Sequence, residues 1–147
     1  MRLRVLAIGT RMPAWVDTAF DDYARRMGAA MPLTLTELAS GRGRDDEGRR
    51  LLAALTARER PVALDERGTM HTSAGLAEWL EAQRRVGKDL CFLIGGADGL
   101  PPEVLARCGT TLSLSRLTLP HALARVVLAE QLYRAASILA GHPYHRA

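Results

Sequence analysis

Aromatic side chains are scarce in this 147-residue chain: two Trp, three Tyr and two Phe, 5% of the total. Since 48% of the residues are hydrophobic, the core they build is expected to be aliphatic. Cysteine is scarcer still. Cys91 lies in an apolar run and Cys108 before a glycine, with no C-x-x-C spacing. Two such thiols read as buried, reduced and structural, which fits a cytoplasmic protein. Lysine is nearly missing. Nineteen of the twenty basic residues are Arg, and no P-loop lysine is present. No uninterrupted run of about eighteen apolar residues exists, so no membrane span is expected; Arg125, Glu130 and Arg134 break the best candidate. The apolar run after Arg2 and Arg4 is too short for a signal peptide.

What the chain does have is enough length for one domain, expected over residues 1–147, with about two-thirds of its unfolded surface buried. Its formal net charge is +4 and its pI about 9.7. From Val104 onward there are five Arg (107, 116, 125, 134 and 146) against one acid, Glu130. Three of the four His lie there too. A basic C-terminal third suits a polyanionic partner.

Apolar runs and helical patterns alternate. Arg2–Ile8 reads as a strand ending at Gly9. Pro13 opens a helix with Val16, Phe20, Tyr23 and Met27 on one face, closed by Gly28. Leu33–Leu38 is a second strand. The stretch from Ser40 to Gly48, rich in Gly, Arg and Asp, reads as a mobile loop before a helix through Leu51, Leu52 and Leu55. Pro61–Leu64 is a third strand, and Ser73–Val86 a helix capped by Thr72 or Ser73 and stopped by Gly87. Leu90–Ile94 is the strongest strand. Pro101–Arg107 is a short helix, Thr111–Leu114 a fifth strand, and Pro120–Ala140 a last helix ending at Gly141. Strands alternating with helices imply an α/β fold, a parallel sheet sandwiched by helices. Leu123, Val126, Val127, Leu128, Leu132, Ile138 and Leu139 leave the last helix no wide polar face. Such a helix is buried on more than one side. One side meets the sheet; the other is assigned to a second subunit, with loops as the alternative cover.

In open parallel sheets, ligands bind beyond the carboxyl ends of the strands. Strand three ends at Leu64-Asp65, and strand four at Gly95-Gly96-Ala97-Asp98-Gly99. Without Cβ atoms, Gly95 and Gly96 let a ligand approach the backbone. The pattern is not G-x-G-x-x-G, so a Rossmann dinucleotide site is not expected. Strand five runs into Ser115-Arg116-Leu117-Thr118-Leu119-Pro120-His121, a loop apolar where loops are normally polar. Such a loop packs against the protein itself or against a ligand. Pro120 suits the first turn of the following helix. The tail His142-Pro-Tyr144-His145-Arg146 crowds functional groups just past a helix stop. A metal site from His142 and His145 lacks carboxylate or Cys support, and none is expected. Glu130 is expected to pair with a nearby Arg, and His71 to be solvated.

Five ordered blocks carry a resemblance: Leu6-Ala-Ile-Gly-Thr-Arg-Met-Pro-Ala-Trp15, Leu93-Ile-Gly-Gly-Ala-Asp-Gly99, Leu117-Thr-Leu-Pro-His121, Ala129-Glu-Gln-Leu-Tyr-Arg134 and His142-Pro-Tyr-His-Arg146. With them the sequence resembles the RlmH family of ribosomal RNA large subunit methyltransferases, in the SPOUT superfamily. The resemblance implies a homodimer and a C-terminal trefoil knot, which sequence reasoning alone would never propose. It implies methylation of N3 of a pseudouridine in 23S rRNA of the assembled ribosome, with S-adenosylmethionine as donor. The cofactor site it implies comprises Leu64, Gly96 and the loop Ser115–Pro120, with Gly95 beside them. Leu64, Leu117 and Leu119 would sandwich the adenine. Tyr144, His145 and Arg146, with His121 next, are the candidate catalytic groups. Two alternatives stay open: a SPOUT enzyme acting on another RNA base, and a non-catalytic ribosome-binding dimer. The chain departs from the family in a shorter segment between Ser40 and Arg60, and it carries no appended RNA-binding domain.

Overall fold

A computed structural model describes residues 1–145 of the chain. Its elements are β1 (Leu3–Ile8), α1 (Ala14–Arg26), β2 (Leu33–Leu38), α2 (Arg44–Ala53), β3 (Glu59–Met70) and α3 (Ser73–Val86). They continue as β4 (Asp89–Ile94), α4 (Pro102–Cys108), β5 (Thr111–Ser113), α5 (His121–Leu139) and a 3₁₀ turn, Pro143–His145. The strands form one parallel sheet in the order β2-β1-β4-β3-β5.

Strand alternation sorts the core into two layers. Leu3, Val5 and Ala7 of β1, with Leu90, Phe92 and Ile94 of β4, face α1, α3 and α5. Leu6 and Ile8, with Cys91 and Leu93, face α2 and α4. Both faces of the central strands are therefore apolar and covered, as parallel sheets require. Arg4 shares the second face at its edge. Its guanidinium binds both carboxylate oxygens of Glu59, at 2.8 and 2.6 Å, and the carbonyl of Ala54 at 2.9 Å. Cys91 and Cys108 are free thiols, both buried.

Two elements differ from the sequence reading. Helix α2 starts at Arg44, inside the stretch expected to be a mobile loop. Asp45, Asp46 and Glu47 fill its first turn, where carboxylates complement the helix dipole. Glu47 is buried and accepts a hydrogen bond from the Gly41 amide at 3.0 Å, which ties the preceding loop down. Strand β3 continues past Leu64 to Met70. Leu64 and Thr69 both pair with Leu112, so residues 65–68 bulge out of the ladder. Their polarity hid the strand's continuation. Elsewhere the bounds agree within a residue or two. Thr72, not Ser73, caps α3, accepting from the Gly75 amide at 2.9 Å.

Helix α5 lies between α1 and α3. Leu128, Ala129, Leu132 and Ala135 form its fully buried stripe, while Leu123, Val126, Val127 and Ile138 stay half-buried. The arginines of this part of the chain are less available than a basic C-terminal third suggested. Arg125 is 0% exposed and paired with Glu37. Arg134 pairs with Glu130 at 2.8 Å, the partnership expected for that acid. No helix among the described residues is long and apolar enough to cross a membrane.

Candidate active site

A cavity of about 560 Å³ opens at the carboxyl ends of β3, β4 and β5. The chain leaves β3 through the bulge, β4 through the glycine turn and β5 through the leucine loop, so three connections converge on one space. Leu64, Gly95, Gly96, Ser115, Leu117, Thr118, Leu119 and Pro120 all line it, as does His121. Arg116 alone of the expected cofactor residues does not.

The leucine loop is ordered by its own hydroxyls. The Leu117 amide donates to Ser115 Oγ at 2.9 Å, and Ser113 Oγ lies 3.0 Å from the carbonyls of both Glu66 and Ser115. Thr118 donates to the Glu66 carboxylate at 2.6 Å, which bridges the loop to the β3 bulge. Leu117 nonetheless remains 76% exposed. The loop is thus not apolar because it packs on the protein interior; its leucine faces the cavity uncovered. Beside it, Asp65 is held below the usual carboxylate range by the Arg67 guanidinium, which donates to both its oxygens at 3.0 Å.

The two glycines answer to the protein's own packing. A Cβ on Gly95 would stand 2.6 Å from the Gly99 carbonyl oxygen. One on Gly96 would stand 2.9 Å from the Glu47 carboxylate and 3.3 Å from Ile8. The turn therefore closes on its own backbone, and α2 presses a buried acid against it.

Of the candidate catalytic residues, His121 and Tyr144 are not brought together within one chain. His121, at the start of α5, lines the cavity. Tyr144 follows the far end of the same helix, 19 residues on, which is about 28 Å of helix. There its ring meets Tyr133 edge to face at 4.5 Å, beneath the Arg134 guanidinium at 5.0 Å. Burial and the Tyr23 hydroxyl push the Tyr144 phenol up to about 12. The side chain of His145, and Arg146 altogether, lie outside the described residues.

A family model described as a predicted SPOUT methyltransferase matches residues 1–145. The chain belongs to the SPOUT methyltransferase family. Within that family it is 51% identical to the ribosomal RNA large subunit methyltransferase H of Thiobacillus denitrificans, over 99% of each chain. It is likewise 51% identical to that of Bordetella avium, over 100% of each. Among solved structures, it resembles a probable methylase family protein from Haemophilus influenzae Rd KW20 (TM-score 0.59, 14% identity, covering 99% of this chain and 70% of that one). The SpoU methyltransferase AviRb from Streptomyces viridochromogenes, in complex with the cofactor AdoMet, is similar at a TM-score of 0.50, with 14% identity over 95% of this chain and 58% of that one. At such identities these likenesses speak to the SPOUT fold alone.

Sequence reasoning missed three residues of this SPOUT site. Glu66 sits in the bulge that was read as the end of a strand. Glu47 belongs to a helix that was read as a loop. Arg125 was counted as surface charge, yet it donates to the carbonyls of Ile8 and Gly9 at 3.3 and 2.8 Å. An Arg among the apolar residues that follow His121 was the one available signal.

Proposed function

We propose that this chain uses S-adenosylmethionine to methylate N3 of a pseudouridine in 23S rRNA, acting as a homodimer on the assembled ribosome in the cytoplasm. The observation that carries the reading is the cavity at three strand ends, in a SPOUT methyltransferase chain, with a leucine-bearing loop left uncovered over it. Its volume falls in the range of small-molecule sites, and its mixture of leucine side chains, backbone groups and glycine suits a flat apolar base with polar edges. The relatives' shared name supports ribosomal RNA as the substrate.

S-adenosylmethionine supplies an electrophilic sulfonium methyl. The chain's own work is placement and proton management. Leu64, Leu117 and Leu119 hold the adenine, Ser115 and Thr118 fix the loop around it, and Gly96 keeps side-chain bulk away. The imide N3 of the target base is protonated at neutral pH, so its proton must be removed or its anion stabilised. Within one subunit His121 is the candidate catalytic group that lines the cavity, and an imidazole can accept a proton. Tyr144, which α5 separates from the cavity of its own chain, serves the site of the second subunit, and His145 and Arg146 are assigned to that site with it. The half-buried flank of α5 supports the dimer. The trefoil knot of the SPOUT superfamily belongs to the same reading.

Calorimetry with S-adenosylmethionine tests the site, and mass spectrometry of 23S rRNA from a deletion strain tests the substrate. Binding heat together with loss of one methylated pseudouridine is the expected result. Binding with an unchanged pseudouridine pattern would indicate another RNA base. No binding at all would indicate a non-catalytic ribosome-binding dimer.

A further inference from the structure

We infer that the β1–α1 connection and the leucine loop together form an RNA-docking surface around His121, on which Arg11 and Arg116 hold phosphates and Trp15 stacks a base. The inference rests on the RNA-methylation reading and names how that same site grips its substrate.

The two segments meet at His121. A Cβ on Gly9 would lie 3.8 Å from His121 Nε2 and 3.4 Å from Arg125 Nη2, so the end of β1 passes directly beside the start of α5. From Gly9 the chain runs through Arg11 to Trp15 at the beginning of α1; from the other side, Arg116 and Leu117 lead into His121. The β1–α1 connection thus leaves the sheet beside the histidine that lines the cavity.

Two guanidinium groups near the mouth are already paired. Arg67 is taken up by Asp65, Arg125 by Glu37, and Glu66 accepts from Thr118. Arg11 and Arg116 differ. Both are exposed, and among the described residues neither guanidinium has a hydrogen bond or an ion pair. Two unpaired guanidinium groups on the segments that adjoin His121 are the donors a phosphate backbone needs. Trp15 is 55% exposed in a chain with only seven aromatic residues, and Val16, directly after it, is what anchors the start of α1 in the core. An indole left in solvent is a stacking platform of the kind that receives an unstacked base of folded RNA.

The test uses the full-length enzyme with ribosomes from a deletion strain. Methyl transfer is measured across a salt series for the wild type, Arg11→Gln, the Arg11→Gln/Arg116→Gln double variant, Trp15→Ala and Trp15→Phe. Each lost phosphate contact is expected to lower the slope of log affinity against log salt by about one, hence about two for the double variant. Trp15→Ala is expected to raise KM for ribosomes roughly five- to a hundredfold, with Trp15→Phe restoring most of it. Cofactor affinity of Arg11→Gln, measured by calorimetry, stays at the wild-type value.

An unchanged salt slope in the double variant, with wild-type methyl transfer intact, overturns the phosphate assignment. A Trp15→Ala enzyme that becomes monomeric by light scattering, while the wild type is dimeric, overturns the stacking assignment and places Trp15 against a second copy of the chain. If instead the wild type itself transfers no methyl group, the functional reading has failed, and that result is distinct from either.

Discussion

Arg125 Nη2 donates to the carbonyl oxygen of Gly9 at 2.8 Å, which ties the start of α5 to the end of β1. Gly9 adopts φ +115°, so its carbonyl is turned where no ordinary strand would present it. The other end of the guanidinium meets Glu37 of β2. One buried side chain thereby ties β1 and β2 to the first turns of α5, the helix that His121 begins. Replacing Arg125 with Ala would leave two carbonyls and a carboxylate without their donor. It is expected to destabilise the protein by about 3 kcal/mol, read from the urea midpoint. Arg125→Lys keeps the charge but not the fork, and is expected to recover only part of that loss.

The glycine turn should rank its substitutions by what the new Cβ meets. On Gly95 it meets the Gly99 carbonyl, a backbone group that cannot step aside. On Gly96 it meets the end of the Glu47 side chain. Gly95→Ala is expected to cost about 2–3 kcal/mol and Gly96→Ala about 1 kcal/mol. In a Glu47→Ala background the Gly96→Ala cost should shrink, since the clashing oxygen is gone. Thermal unfolding of the four proteins checks both the order and the coupling.

The same turn shows what could be read from the residues alone. Leu90–Ile94 followed by two glycines announces a buried strand and a close turn, and the apolar period of β1 and β4 is plain. The convergence of Leu64, Gly96 and the leucine loop followed from strand-end logic plus resemblance. What stayed hidden depended on tertiary partners. Glu47 looks like loop charge until Gly41 and Gly96 surround it. Arg125 looks like surface charge until Glu37, 88 residues earlier, is brought to it. The bulge after Leu64 has strand geometry with loop composition, because Leu112 pairs with residues on both sides of it. The separation of His121 from Tyr144 is a matter of helix length, and only a structure shows it.

Thr118 and Glu66 meet at 2.6 Å on the rim of the cavity. Both are exposed, so the hydrogen bond contributes little to global stability. Its effect is to hold the leucine loop in the shape a ligand would meet. Glu66→Ala and Thr118→Val are each expected to weaken S-adenosylmethionine binding about three- to tenfold, with the unfolding midpoint nearly unchanged. Calorimetry on the two single variants and the double would show sub-additive losses, because both remove the same bond.

Burial pushes the Cys91 thiol up to about 12 and that of Cys108 to about 11. In the unfolded chain a thiol titrates near 8.5. Above that pH the unfolded state sheds its protons first, so stability is fully present below it and is lost as pH rises toward the folded values. The expected slope is roughly 1.4 kcal/mol per pH unit for each thiol within that window. Cys91→Ala should be less stable than the wild type at pH 7.5 yet lose less between pH 7.5 and 10, as urea unfolding at the two values would reveal.

The placement of His121 and Tyr144 at opposite ends of α5 leads to a subunit-mixing experiment. One variant ends at Pro143, so it lacks the tail but keeps an intact cavity. The other carries Gly96→Val, so its cavity is spoiled but its tail is complete. Each alone is expected to be inactive in methyl transfer. If the tail serves the neighbouring subunit, a mixed dimer unites one good cavity with one good tail. Co-refolding equal amounts makes half the dimers mixed, each with one working site of two, so about a quarter of wild-type activity should return. A tail that served its own cavity would leave both sites of the mixed dimer broken, and no activity would appear.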